Sequence, residues 1–225
     1  MSAWIPLQSN PDIQNAYLRK LGVPENWNIV DVLGLDEELL AMVPQPVLAL
    51  ILLFPCSDKY EKHRLAEDEK LKENIPNYPN DLFYMKQTIH NACGTCALIH
   101  AISNNKEIVL EDGILKKYLD AARDLTAEER GKLLEGDTSF METHQTLASE
   151  EPSENPSDGE NHHFIALIEK DGELYELDGR KSFPIKHGPT TKENFLNDAA
   201  RVCKEFMARD PDELRFTVSA VTANQ

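Results

Sequence analysis

This chain is short of cysteine, short of positive charge, and has no long apolar run. Four cysteines, Cys56, Cys93, Cys96 and Cys203, are scattered over 225 residues. A chain with 41% apolar residues can bury a core without covalent staples, so these read as free thiols in a reducing compartment. Lys and Arg number 23 against 39 Asp and Glu, a formal net charge of -16. A nucleic-acid binder needs a basic footprint, and that class is excluded. The surplus acid serves solubility, or steers a basic partner. The longest apolar run, Val47 to Phe54, falls far below the roughly 20 residues needed to span a bilayer. Met1-Ser-Ala-Trp4-Ile-Pro lacks the basic start and apolar stretch of a secretory signal. No glycine-rich phosphate loop and no internal repeat is present. The expectation is one domain over residues 1–225, cytoplasmic, monomeric and away from membranes.

What is present reads as an α/β pattern. Ile13 to Leu21 has helical apolar spacing after Asn10-Pro11. Asn28 to Val32 reads as a short strand, and Val47 to Phe54, closed by Pro55, as a strand buried on both faces. Asp58 to Lys72 is a solvated helix, with Asp58 and Glu61 at capping-box spacing. Helices follow from Gly94, over 111–123, and over 126–134, where Thr126 and Glu129 form a second capping box. His163 to Glu169 and Glu173 to Leu177 flank Lys170-Asp171-Gly172 as a hairpin. Thr190 and Glu193 open a helix to Arg209, and Leu214 to Val221 reads as a last strand. Residues 137–161 are rich in Glu, Ser, Thr, Asn and Pro and contain no Lys or Arg. They are expected to form a long mobile loop.

Cys93 begins a helix, where the dipole and free N–H groups favour a thiolate. A small buried structural cysteine would look the same. A nucleophilic cysteine needs a base and a group to orient that base. His162 and His163 start a strand and point to opposite faces, so one of them can meet Cys93. The hairpin brings the His163 end beside Asp178. Gln87, just upstream, carries an amide able to donate to an oxyanion. Each residue alone has an ordinary structural or surface reading.

Together, Gln87-Thr-Ile-His-Asn-Ala-Cys93-Gly-Thr, His163-Phe-Ile-Ala-Leu and Leu177-Asp178-Gly-Arg-Lys-Ser-Phe-Pro184 resemble the ubiquitin carboxyl-terminal hydrolase family of cysteine peptidases. Trp4-Ile-Pro-Leu-Gln-Ser-Asn10, Val30-Asp-Val-Leu-Gly34 and Arg209-Asp-Pro-Asp-Glu-Leu-Arg-Phe216 extend the resemblance over essentially the whole chain, closest to the short single-domain members. The resemblance implies a papain-like α/β fold, a central, mostly antiparallel sheet wrapped by helices on a knotted backbone. It implies Cys93 as nucleophile, His163 as general base and acid, Asp178 as its orienter and Gln87 as oxyanion donor, with no cofactor and no metal. It also implies that Asp31 contacts ubiquitin or a ubiquitin-like modifier, and that residues 137–161 form a crossover loop limiting leaving-group size. His90, Cys96 and Ala97 depart from residues that relatives often carry.

Other classes remain open from sequence. Cys93-Gly-Thr-Cys96 is also a redox-type Cys-x-x-Cys, as in thioredoxin-like proteins. His90, Cys93, Cys96 and His100 are zinc-type ligands, although four ligands in one short segment converge poorly on a tetrahedron. A ubiquitin-binding protein of poor catalytic power would carry the same motifs.

Overall fold

A computed structural model describes residues 4–150 and 162–224. Among these, six strands form one sheet in the order β1-β6-β2-β3-β4-β5, every neighbouring pair antiparallel. The strands are β1 (Trp27–Asp31), β2 (Val47–Pro55), β3 (His162–Lys170), β4 (Glu173–Leu177), β5 (Ile185–Pro189) and β6 (Thr217–Ala223). The helices are α1 (Pro11–Leu21), α2 (Glu37–Leu40), α3 (Asp58–Glu73), α4 (Cys93–Ser103), α5 (Ile114–Ala122), α6 (Ala127–Glu135), α7 (Thr138–Glu150) and α8 (Phe195–Arg209).

β2 and β3 are apolar without alternation because both faces of the sheet are covered. Ala49, Ile51, Phe164, Ala166 and Ile168 face a core shared with α1, α4, α5 and α7. Leu50, Leu52, Phe54, Ile165 and Leu167 face the opposite core, closed by α8, α2 and the start of α3. Two apolar layers thus clamp the middle of the sheet, where the end of β2 meets the start of β3, with Phe54 opposite His163. The Cys93, His163 and Asp178 segments, expected from sequence to form a site, fall at this end.

Local signals set the helix ends. Asn10 Oδ1 accepts from the Asp12 N–H at 2.8 Å, and Gly22 closes α1 in the left-handed region at φ 94°. The Thr126–Glu129 capping box forms as expected. On α3 the cap is Ser57, whose Oγ accepts from Tyr60 N–H at 3.3 Å, while Asp58 stands in the first turn. The helix ending at Arg209 begins at Phe195, because Thr191 and Asn194 form a turn first.

The largest departure from expectation lies in 137–161. Its first half is α7, not loop, with Phe140, His144, Leu147 and Ala148 buried on one face. The rest of the expected loop, 151–161, lies outside the described residues. No helix of the described residues is long and apolar enough to cross a membrane.

Candidate active site

Cys93 is the first residue of α4, so its own N–H and those of the next two residues have no partner within the helix. The backbone enters through Asn91 in the left-handed region, φ 64°. The N-terminal segment braces this approach. Trp4 N–H donates to the His90 carbonyl at 3.2 Å, and Asn91 Nδ2 donates to the Trp4 carbonyl at 3.0 Å. One residue after the thiol, a Cβ at Gly94 would lie 3.1 Å from Leu7 Cβ, so the helix start is pressed against that segment. Thr95, fully buried, is hydrogen-bonded to Tyr17 Oη of α1 at 3.0 Å and to His144 Nδ1 of α7 at 2.9 Å. His144 Nε2 reaches on to the Ile5 carbonyl at 2.6 Å.

His163, the second residue of β3, is buried, and its Nε2 lies 2.6 Å from Asp178 Oδ1. That leaves Nδ1 for the hydrogen bond with the Cys93 thiol. Burial alone would push the imidazole down. The Asp178 charge and hydrogen bond, with Cys93, outweigh it and raise His163 to about 9. Burial likewise pushes the Cys93 thiol up, but the hydrogen bond and charge of His163, with the Phe164 and Gly94 N–H groups, bring it below its ordinary value. The two shifts favour the same state, a thiolate beside an imidazolium.

Asp178 follows β4 and is fully buried. Its Oδ1 also accepts the Arg180 N–H at 2.8 Å, and its Oδ2 accepts the Tyr60 hydroxyl at 2.7 Å. Burial raises this carboxyl, yet His163, Lys181 and Tyr60 together hold it far below the usual range. The loop carrying it is pinned from behind. Tyr84 Oη lies 2.7 and 2.6 Å from the carbonyls of Asp178 and Lys181, which share its single hydrogen. Lys181, fully buried, forms ion pairs at 2.5 Å with Glu176 and with Glu67, and Glu176 also meets His187 Nε2 at 2.8 Å.

Gln87 joins this group through Gly179. Its N–H donates to the Gly179 carbonyl at 2.9 Å, and a Cβ at Gly179 would stand 3.0 Å from Gln87 Cβ. Glycine is required there by close approach of backbone. Gln87 Nε2 donates to the Ile89 carbonyl at 3.0 Å, which leaves its second N–H free to donate elsewhere.

Asp31 does not join the cluster. It is exposed at the end of β1. Across the sheet it lies in one row with Ser219, Ile51 and Ala166, so it stands three strands, roughly 14 Å, from β3 on the side where β2 ends.

Tyr60, Tyr84, Gly179 and Lys181 were not singled out from sequence. Gly179 and Lys181 lie within the Asp178 motif, but like Tyr60 and Tyr84 each also has a partner about ninety or more residues away in the chain, which local pattern does not reveal. Cys96 is buried, and burial raises its thiol well above the ordinary value, with the Cys93 charge adding to it. His100, also buried, accepts the Met85 N–H at 3.1 Å through Nε2, and its basicity falls to about 4 mainly through burial. Among the described residues no three His, Cys, Asp or Glu side chains converge as a metal site.

With this geometry in place, the chain matches ubiquitin carboxyl-terminal hydrolase, family 1, over residues 4–208. The chain belongs to that family. A ubiquitin carboxyl-terminal hydrolase of Drosophila melanogaster is 56% identical over the full length of both chains. One from Aplysia californica is 48% identical over 93% of this chain and 97% of its own. Isozyme L1 of Rattus norvegicus is 43% identical over 96% of both. Among solved structures, the catalytic domain of Trichinella spiralis UCH37 bound to ubiquitin vinyl methyl ester superposes with a TM-score of 0.78. It covers 99% of this chain and 97% of that one at 23% identity. At that identity the likeness speaks for the fold. Family membership disfavours the redox-protein reading of Cys93 and Cys96.

Proposed function

We propose that this family member is a thiol-dependent deubiquitinating hydrolase that removes small adducts or short peptides from the C-terminal glycine of ubiquitin or a ubiquitin-like modifier. The observation that carries the reading is the buried line Cys93–His163–Asp178, with the His163–Asp178 contact at 2.6 Å. It needs no cofactor, because thiolate, acid and oxyanion donor are all side chains or backbone.

The Cys93 thiolate attacks the glycine carbonyl carbon. The new oxyanion lies toward donors with hydrogens to spare, Gln87 Nε2 and the Cys93 N–H at the helix start. His163, protonated at rest, gives its proton to the departing amine, which leaves a thioester on Cys93. Neutral His163 then takes a proton from water. The hydroxide so formed attacks the thioester, and the modifier leaves with a free carboxylate. Asp178 holds the ring through Nε2 throughout. Asp31 sits far enough from the thiol to contact the body of the modifier or the start of its tail while the tail lies in the site.

Residues 151–161 connect α7 to His162, next to the base. Our reading is that the crossover segment limits the leaving group. Lengthening it should then permit cleavage of di-ubiquitin, and unchanged activity on di-ubiquitin would dismiss the gate. Cytoplasmic residence belongs to the same reading, since free thiols suit a reducing compartment.

A ubiquitin probe with a C-terminal electrophile tests the whole reading. Mass spectrometry should place the adduct on Cys93. Cys93→Ala should lose turnover of a ubiquitin C-terminal amide while still binding ubiquitin. Turnover by that variant, or an adduct on another cysteine, would overturn the mechanism.

A further inference from the structure

Cys96 has no part in this mechanism. Yet it stands three residues after Cys93 on the same helix, and the thiol of one lies in the electrostatic field of the other. We propose that Cys96 is the resolving thiol of Cys93, so that a hydroperoxide converts the site to a reversible Cys93–Cys96 disulfide instead of destroying it. The inference rests on Cys93 being the nucleophile.

The chemistry balances in two steps. The Cys93 thiolate attacks one oxygen of the hydroperoxide, which breaks the O–O bond. This gives a sulfenic acid and an alcohol or water after proton uptake. The Cys96 sulfur then attacks the Cys93 sulfur, an S–S bond forms, and the hydroxyl departs as water with the Cys96 proton. Two external thiols reverse the process and become a disulfide themselves.

The placement suits this sequence of events. Burial keeps Cys96 protonated, so peroxide meets a thiolate only at Cys93. Oxidation of Cys93 to a neutral sulfenic acid then removes one of the charges that hold the Cys96 proton on. Helical residues three apart have Cβ atoms about 5–6 Å apart, and a disulfide needs roughly 3.5–4.5 Å. The gap of roughly 0.5–2.5 Å must be closed by Cys93, whose N–H carries no helical bond. The first helical bond of α4 runs from the Cys96 N–H to the Ala92 carbonyl at 2.9 Å, so Cys93 can shift without breaking a bond from its own N–H to the helix. Gly94, with no side chain, is the residue after it.

The other thiols are worse placed. Cys203 is buried against the opposite face of the sheet. Cys56 is near the site, but its sulfur accepts from Arg180 Nη1 at 3.0 Å and burial raises its thiol to about 12.

The experiment is a hydrogen peroxide titration of the 225-residue chain. Activity on a ubiquitin C-terminal amide is read before and after dithiothreitol, and tryptic peptides are mapped without reduction. Trypsin releases Gln87–Lys106, which contains both thiols and no methionine. The native peptide should become lighter by two hydrogen atoms, and dithiothreitol should restore most of the lost activity. Cys96→Ala, with Cys96→Ile as a larger side chain in case alanine unsettles the core, should be inactivated at the same dose without recovery. Its peptide should instead gain the oxygens of sulfinic or sulfonic acid. The proposal falls if the native peptide gains oxygens without the internal bond, if Cys93 pairs with Cys56, or if the Cys96 variants recover as well as the native protein. Labelling of unoxidised protein by the ubiquitin electrophile, run in parallel, separates this failure from failure of the nucleophile assignment.

Discussion

At the scale of single residues, the site works through opposed shifts on neighbouring groups. The Cys93 thiol lies below its ordinary value and His163 is raised to about 9, so the ion pair exists between the two. The rate of acylation against pH should therefore rise as Cys93 deprotonates and fall near 9 as His163 loses its proton. A rate that keeps rising through pH 10 would contradict a protonated His163. Tyr60 sets the position of that alkaline limb at one remove, because its hydroxyl is the donor to Asp178 Oδ2. Tyr60→Phe keeps the ring packed on Phe54 and removes the donor. A charge-assisted hydrogen bond contributes about 1.5 kcal/mol, so kcat should fall about tenfold with little change in KM. Asp178, less firmly held, stabilises the imidazolium less, and the alkaline limb should move to lower pH. A purely structural role would lower Tm and leave the pH profile in place. Cys93, His163, Asp178 and Gln87, to which the proposed mechanism gives its roles, could be picked out in sequence because motifs flank them, and the fold brings them together. Tyr60 could not, since its role depends on the first turn of α3 reaching a loop more than a hundred residues later.

At the scale of elements, the loop between β4 and β5 matters most. It carries Asp178, touches Gln87 through Gly179, and rests on Lys181. A fully buried lysine is tolerable only with its partners. Lys181→Met should leave Glu176 with His187 alone and Glu67 without its ion pair. Removing one partner of a buried pair costs about 3–5 kcal/mol, which chemical denaturation would measure. A loss below about 1 kcal/mol, the range of exposed pairs, would show that water reaches Lys181. Stability should also depend on acid. Glu176 is brought down to about 2 against the opposition of burial, chiefly by Lys181, then by His187. Its contribution is therefore complete above the ordinary carboxylate range and is lost as pH falls toward 2. In Lys181→Met this acid sensitivity should shift to higher pH.

α7 shows why an element can hide. Phe140, His144, Leu147 and Ala148 follow i, i+4, i+7 and i+8, the spacing of a helix with one buried face. The polar residues between them, and the unbroken polar tract after 150, gave the whole segment the look of a loop. The buried position His144 is itself polar, because its partners are the Thr95 hydroxyl and the Ile5 carbonyl. By contrast β2, with apolar residues at every position, could be read directly as a strand covered on both sides. β5 went unread because its Lys-His-Gly-Pro stretch has little strand character, and it forms only as an edge against β4.

At the scale of the whole molecule, the net charge of -16 acts over distances that no contact list captures. If the substrate presents a basic face, kcat/KM should fall as salt is raised from 10 to 300 mM while kcat holds, because screening slows encounter and leaves chemistry alone. A salt-independent kcat/KM would assign the acidity to solubility. The arrangement of layers followed from apolar patterning, but the strand order did not. Nothing in residues 217–223 announces that they lie between β1 and β2, since pairing partners are chosen by shape after the chain has collapsed.

That strand order has a consequence for biosynthesis. β6 is the last of the described strands in chain order, yet among the described residues β1 and β2 are joined only through it. Cys93, His163 and Asp178 have all been translated before the frame that unites the two parts of the sheet exists. On the proposed mechanism, a nascent chain attached to its ribosome would hold every group needed for hydrolysis in an incomplete scaffold, and activity should begin only once β6 has emerged and paired with β1 and β2.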